Sequence, residues 1–365
     1  GFRCIHRFHR LGTSKRTSGH RLRAESTIIV TDTIDGTDIP HPADQQALFG
    51  HSAAERTLLS SMAGNRLHHA WLISGLQGLG KATLAYRLAR FLLTHGQGNL
   101  GTAAQSSDDL NSHINQSVKA RISARSHGDL LAIERAYDEK RQRYKEELTI
   151  DQIRQIPPFL QSTSAEGGWR MVIIDGADAM NRSAQNAILK GLEEPPNKTL
   201  IALVAERPER LLPTIRSRCR DLPLAPLGNT DMAAALEHLL GSQTSAAERE
   251  RLTELADGRP GAAVQLWQAD VDALWQDIQA ALAPDASSER HRVAATIGAD
   301  QLRWQYFGDL MRRWLRGLLE SNGRVDPVFS MWDKTNQQLA DAEIRNLDRK
   351  LVTLQILESA SRLRL

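Results

Sequence analysis

Three short segments carry residue types and spacings that could do chemistry on phosphates. The first is Gly75-Leu76-Gln77-Gly78-Leu79-Gly80-Lys81-Ala82-Thr83, which has the pattern of a phosphate-binding loop: Gly, four residues, Gly-Lys. Gly75, Gly78 and Gly80 would let backbone N–H groups curl around phosphate oxygens, and the helix that follows would point its positive end at them. Lys81 would reach the β and γ phosphates. The next residue in a working loop supplies a hydroxyl to Mg²⁺, but here it is Ala82. Thr83 stands about 100° further around the helix and is expected to point elsewhere. A Gly-rich turn that holds no nucleotide is the competing reading. The second segment, Met171-Val172-Ile173-Ile174-Asp175-Gly176-Ala177-Asp178, ends four apolar residues on a carboxylate that could sit near a metal. Gly176 has no side chain to act as a base, and Asp178 reads as structural. The third is Leu211-Leu212-Pro213-Thr214-Ile215-Arg216-Ser217-Arg218-Cys219. The Arg218 guanidinium is always charged and offers a planar fork to phosphate oxygens, although taken alone it reads rather as half of an internal salt bridge.

These segments need elements to position them. Ala70 to Ser74 reads as a buried strand, and Leu84, Leu88, Phe91 and Leu92 fall at helical spacing after Gly80. A strand, a Gly-rich loop and a helix are the context that makes the phosphate-loop reading credible. Ala54 to Met62 reads as a short helix, and structure is expected to begin near Leu48. Leu130 to Ile133, Met171 to Ile174 and Thr199 to Ala205 read as further strands. Asn181 is placed to cap a helix bearing Ala184, Ala187, Ile188 and Leu192. Thr149 with Gln152 fits a capping box, with Pro157 and Pro158 kinking or ending its helix. Residues 95–128 read as an exposed loop or insertion, and Arg135 to Glu147 as a solvated helix or loop. Alternating strands and helices imply a doubly wound parallel sheet. After Pro226 the strand signals disappear. Trp304, Phe307, Met311, Trp314 and Leu318 form one helical stripe. Ile344, Leu347, Leu351, Leu354 and Leu357 form another, read as packing within the protein, with an oligomerisation face as the alternative.

With 365 residues, 41% hydrophobic and 24% charged, the chain is long enough for two or three domains and reads as soluble and globular. No apolar run approaches the ~20 residues of a membrane helix. Two cysteines, Cys4 and Cys219, exclude a disulfide framework and a four-cysteine zinc site. The net charge of +3 conceals an uneven distribution: seven Lys/Arg and no acid lie in the first 24 residues, leaving 3 − 7 = −4 for the rest. That leader is expected to be a disordered tail, although an Arg- and Ser-containing, acid-free segment also has an organelle-targeting character. His68 and His69, being adjacent, lack metal-ligand spacing.

The third segment does more than carry Arg218. Asn186-Ala187-Ile188-Leu189-Lys190 leads into Leu192-Glu193-Glu194-Pro195-Pro196, and the Ser217-Arg218-Cys219 turn follows. Together with Asn65-Arg66-Leu67-His68-His69-Ala70 before the Gly-rich loop, these resemble the clamp-loader AAA+ family, specifically the delta-prime subunits of bacterial DNA polymerase III. The resemblance covers roughly residues 48–225. It implies a RecA-like doubly wound α/β sheet, a small helical lid and an all-α C-terminal collar. The corresponding divisions are a leader at 1–47, an AAA+ domain at 48–226, a lid at 227–285 and a collar at 286–365. It also implies that Arg218 is an arginine finger acting in trans on a neighbour's ATP, and that Gly75, Gly78, Gly80, Lys81 and Asp175 form a degraded nucleotide site. In hydrolysing relatives the residue after Asp175 is Glu, so Ala82 and Gly176 together argue against ATP hydrolysis; ATP or ADP remains conceivable as a structural ligand. Many delta-prime relatives carry a zinc module, but residues 95–128 contain no cysteine, so neither zinc nor any other metal is expected. The first sensor position falls near Ala205 or Glu206, and the second near Gly258-Arg259-Pro260-Gly261, with its arginine displaced. The implied partners are motor subunits, the delta subunit, indirectly the sliding clamp, and primed DNA through the complex. The implied setting is the bacterial cytoplasm, with no membrane contact. The alternatives are an ATP-hydrolysing motor subunit and a non-replicative AAA+ adaptor.

Overall fold

The computed structural model describes residues 40–138, 143–145, 147–321 and 325–364. Five strands, β1 (Ala70–Ser74), β2 (Leu130–Ile133), β3 (Arg170–Asp175), β4 (Thr199–Ala205) and β5 (Arg220–Pro223), form one parallel sheet in the order β2-β3-β4-β1-β5. β1 to β4 are largely apolar runs because both faces of the sheet are covered there. Alternate residues of one strand therefore enter different layers. Trp71 and Ile73 join the core beneath α1 (Ser52–Ala63) and α2 (Lys81–His95). Ala70 and Leu72 join the opposite core, which also holds Ala184, Ile188 and Leu192 of α3 (Arg182–Glu193). The Asn181 side chain accepts from the Ala184 N–H at 2.9 Å, capping α3 as its sequence suggests. His69 Nε2 donates to the Leu192 carbonyl at 2.9 Å, tying the start of β1 to the end of α3.

The structure departs from the sequence reading at several places. The edge strand β5 has no legible sequence pattern, since Leu222 is its one buried residue and strand alternation needs several. Residues 95–128 are not a bare loop. They form the short helices Leu100–Gln105, which buries Ala104, and Asn115-capped Gln116–Ser123, which buries Val118 and Ile122, with Leu110 buried in the turn between them. Within Arg135 to Glu147, Tyr137–Asp138 pairs antiparallel with Arg143–Tyr144. Finally, most of the expected leader 1–47 lies outside the described residues, but positions 40–47 are packed. Ala43 is fully buried, and the Arg90 guanidinium donates to the Ala43 and Gln45 carbonyls at 2.9 and 2.6 Å. The Thr149–Gln152 capping box is present, but its helix stops at Ile153; Pro157 and Pro158 then open the next helix, Ile156–Gln161, whose first turn needs no proline N–H.

Beyond Pro223 the described residues are helical: α4 (Asn229–Leu240), α5 (Ala246–Ala256), α6 (Pro260–Gln268), α7 (Val271–Ala281), α8 (Ser287–Ala299), α9 (Gln301–Ser321), α10 (Val325–Ile344) and α11 (Arg349–Ser361). Trp304, Phe307 and Met311 of α9 are buried, as their spacing suggests. Of the second stripe, only Leu357 is fully buried. Ile344 is 81% exposed, Leu351 56% and Leu347 44%. The chain turns between α10 and α11, with Asn346 left-handed, and this resets the helical phase. On α11 it is Val352, Ile356, Leu357 and Ala360 that pack inward.

Candidate functional site

The Gly-rich loop leaves the carboxyl end of β1, where an open α/β sheet places its ligand crevice. The cleft there has a volume of about 390 Å³, within the range of small-molecule sites. Gly78, Gly80, Lys81, Ala82, Asp175, Gly176, Asp178 and Glu206 line it, and so does Thr83, contrary to the expectation that it turns away. Gly75 packs below the opening: with φ at +146°, a Cβ there would meet the Leu224 carbonyl oxygen at 2.6 Å. Gly80 is left-handed (φ +88°) where it caps α2. His51 Nε2 donates to the Leu79 carbonyl at 2.8 Å and holds the loop from below.

Lys81 is 7% exposed and its Nζ donates to the Leu76 carbonyl at 2.8 Å. Burial lowers its pKa, against the attraction of Glu206, Asp175 and Asp178. Burial and the nearby Glu134 carboxylate push Asp175 up to about 6. Glu134 follows β2 and is a site residue that the motifs do not reveal, although a polar residue at the carboxyl end of a buried strand is a signal in this sheet type. It accepts from Tyr86 Oη at 2.7 Å and from His41 Nε2 at 3.1 Å. Burial works against its charge, but these hydrogen bonds and the His41 ring hold its pKa below the ordinary carboxylate value. Burial, with Glu134 alongside, raises the Tyr86 phenol.

The position that would hold a catalytic glutamate is not built for one. Gly176 is left-handed at φ 80°, ψ 41°, and the Arg135 side chain lies beside it. Asp178 is structural as read: its carboxylate accepts from the Glu206 and Arg207 N–H groups at 3.2 and 3.1 Å and fixes the turn after β4. The amino end of α6 meets the Gly-rich loop directly. Gly261 N–H donates to the Gly78 carbonyl at 2.9 Å, and a Cβ on Gly78 would fall 2.7 Å from Ala262 N. Arg259 is turned from the cleft, its Nε donating to the Ala256 carbonyl at 3.0 Å. The cleft thus brings the Gly-rich loop, Lys81 and Asp175 together, with Ala82 and Gly176 at the positions that follow Lys81 and Asp175, the Thr83 hydroxyl residue in the lining, and part of the loop backbone engaged by α6.

Arg218 lies outside the cleft lining. It sits in the turn between the helix Pro213–Arg216 and β5, 36% exposed. Its guanidinium pairs with Glu193 Oε1 at 2.9 Å and donates to the Thr214 carbonyl at 2.9 Å. Ser217 Oγ donates to the same carbonyl at 3.1 Å, shaping the turn. Burial and Asp221 push the Cys219 thiol up to about 12, and it packs at the edge of the α3-side core.

Residues 50–228 match the family described as "DNA polymerase III, delta subunit". Over that region the chain is delta-prime-like clamp-loader sequence. It is 34% identical over 217 residues to the DNA polymerase III subunit delta' of Pseudomonas aeruginosa, covering 58% of this chain and 60% of the relative. It is likewise 34% identical over 215 residues to subunit delta' of Escherichia coli, covering 58% of each. The tau subunit of Escherichia coli is 30% identical over 251 residues, 69% of this chain and 35% of that one. The match therefore spans about three fifths of the delta' relatives' length. Among solved structures, a gamma subunit-related protein of DNA polymerase III from Thermotoga maritima aligns with 84% of this chain and 99% of its own, at 19% identity and a TM-score of 0.42. The delta-prime-like region contains both the altered Gly-rich loop and the Arg218 turn.

Proposed function

We propose that this chain is a clamp-loader subunit of a bacterial DNA polymerase III which does not hydrolyse ATP itself but supplies Arg218 to the ATP of a neighbouring subunit. The observation that carries the reading is the placement of Arg218. It stands on the surface, outside its own chain's cleft, in a turn whose backbone is fixed, with a guanidinium held by Glu193 and a carbonyl. A surface ion pair of this kind contributes about 0–1 kcal/mol, so a phosphate can displace Glu193 at little cost. In a water-poor interface the same fork would stabilise charge on the γ-phosphate during transfer. In the chain's own cleft the negative half of the reading rests on Gly176, which offers water no base, and on Ala82, which offers no hydroxyl at the position after Lys81; Thr83, which lines the cleft, is the hydroxyl that weighs against it. ATP or ADP would bind there as a structural ligand, through the Gly78–Lys81 backbone and Lys81.

In this reading the partners are the motor subunits, the delta subunit and, through the assembly, the sliding clamp and primed DNA, within a bacterial cytoplasm. The exposed Ile344, Leu347 and Leu351 would contribute to contacts between helical collars. The division into an AAA+ domain at 48–226, a lid at 227–285 and a collar at 286–365 belongs to the same proposal. The test is the DNA-stimulated ATPase of a reconstituted loader with the Arg218→Ala subunit. A large loss of rate with assembly intact supports the reading. Turnover by the isolated subunit that Lys81→Ala abolishes would replace it with a motor subunit.

A further inference from the structure

At the opposite end of β1 from the Gly-rich loop, an open hollow of about 750 Å³ lies between α1, the turn after it and the start of β5. Three arginines line it: Arg56 from α1, Arg66 from the turn and Arg220 from β5. With them are the hydroxyls of Thr57, Ser60 and Ser61, and only Ala53 and Gly64 besides. Among the described residues no carboxylate lines the hollow. Elsewhere the arginines of this chain commonly face acids: Arg87 pairs with Glu55, Arg249 with Glu237 and Arg292 with Asp277. Arg56, Arg66 and Arg220 are exposed and pair with no acid among the described residues.

Two of the three are held in place. Arg220 lies over the buried Trp71 ring, 4.9 Å from its centroid. The Arg66 backbone is clamped at both ends, its N–H donating to the Ser61 carbonyl and its carbonyl accepting from Ser61 Oγ, each at 3.0 Å. Three like charges facing one hollow repel each other, and the chain outside its first 24 residues is net negative (3 − 7 = −4), so general basicity does not account for the cluster. An anionic protein segment would need apolar anchors to bind stably, and the hollow offers only Ala53. Arginine forks with Ser and Thr hydroxyls are the groups that hold phosphate oxygens on nucleic acids. We propose that this hollow binds the phosphodiester backbone of DNA, without reading sequence. The site is separate from Arg218 and from the cleft, so it stands or falls independently of the finger.

The test is fluorescence anisotropy of a labelled primer–template duplex titrated with the full chain between about 50 and 200 mM salt. The leader's basic residues are common to every variant, so differences belong to the hollow. Replacing all three arginines (Arg56→Ala, Arg66→Ala, Arg220→Ala) is expected to weaken binding more than tenfold at the low salt. It should flatten the log–log salt slope by about 3, near 0.9 for each phosphate left without its arginine. The corresponding Lys variants are expected to keep the slope, which separates charge from folding. Unchanged affinity and slope in the Ala variant, loss of slope in the Lys variant, or no duplex binding by the parent chain would each overturn the proposal. So would poly-glutamate displacing the duplex from the hollow more effectively than unlabelled DNA.

Discussion

The cleft and the Arg218 turn both hold cationic groups suited to phosphate, yet they keep them in opposite states. In the cleft, Lys81 is buried, bonded to its own loop, and ringed by Glu206, Asp175 and Asp178. The loop is clasped by His51 below and by Gly261 above. At the turn, a rigid backbone presents a half-exposed guanidinium whose carboxylate partner is also solvated. The first arrangement resists change and the second permits exchange. The proposed action on a neighbour's nucleotide rather than on the chain's own would need that division.

The largest expected effect breaks the comparison at the turn. Arg218→Ala should lower turnover at the ATP site it serves by about 10³-fold, the lower end for arginine fingers. Arg218→Lys should recover little of it, because an ammonium lacks the planar fork; single-turnover ATP hydrolysis by a reconstituted loader reads both. In the cleft, Gly261→Ala places a Cβ 2.8 Å from the Gly78 Cα. Backbone must shift, at a cost of about 1–3 kcal/mol by chemical denaturation. Unchanged stability would mean that the α6–loop contact opens freely in solution.

Asp175 sharpens the same contrast through pH. Its folded pKa of about 6 exceeds the ordinary 3.8, so the folded chain binds more protons than the unfolded chain between these values. Its contribution therefore weakens as pH rises from 4 to 6. Asp175→Asn should raise stability above pH 6 by roughly 1–3 kcal/mol and leave it nearly unchanged below pH 4, as thermal melts across pH will show. The smallest effect is at Glu193: Glu193→Gln should alter stability by under about 1 kcal/mol, since the pair is exposed. It should also leave the finger's contribution to rate intact. A large drop in rate at unchanged stability would make Glu193 a positioning group rather than an exchangeable partner.

Much of the fold follows from local pattern. The strands at 70–74, 130–133 and 199–205, the Asn181 cap and the Thr149–Gln152 box are all set by periodicity and short-range hydrogen bonding. Equally legible are the alanine after Lys81 and the glycine after Asp175, which any reading of the sequence meets without the fold. Other features depend on distant neighbours that one-dimensional pattern does not contain. The strand at 220–223 exists because β1 offers it an edge. His41 and Glu134 meet across 93 positions, and residues 40–47 are ordered by arginines of α2. The stripe from Ile344 to Leu357 reads as one helix face because spacing cannot register a turn that resets the phase. Residue identity by itself determined which groups follow Lys81 and Asp175 and where the guanidinium of Arg218 stands in the chain. Only the tertiary structure decided which charges are clasped and which are open to exchange, because that depends on burial and on partners far away in sequence.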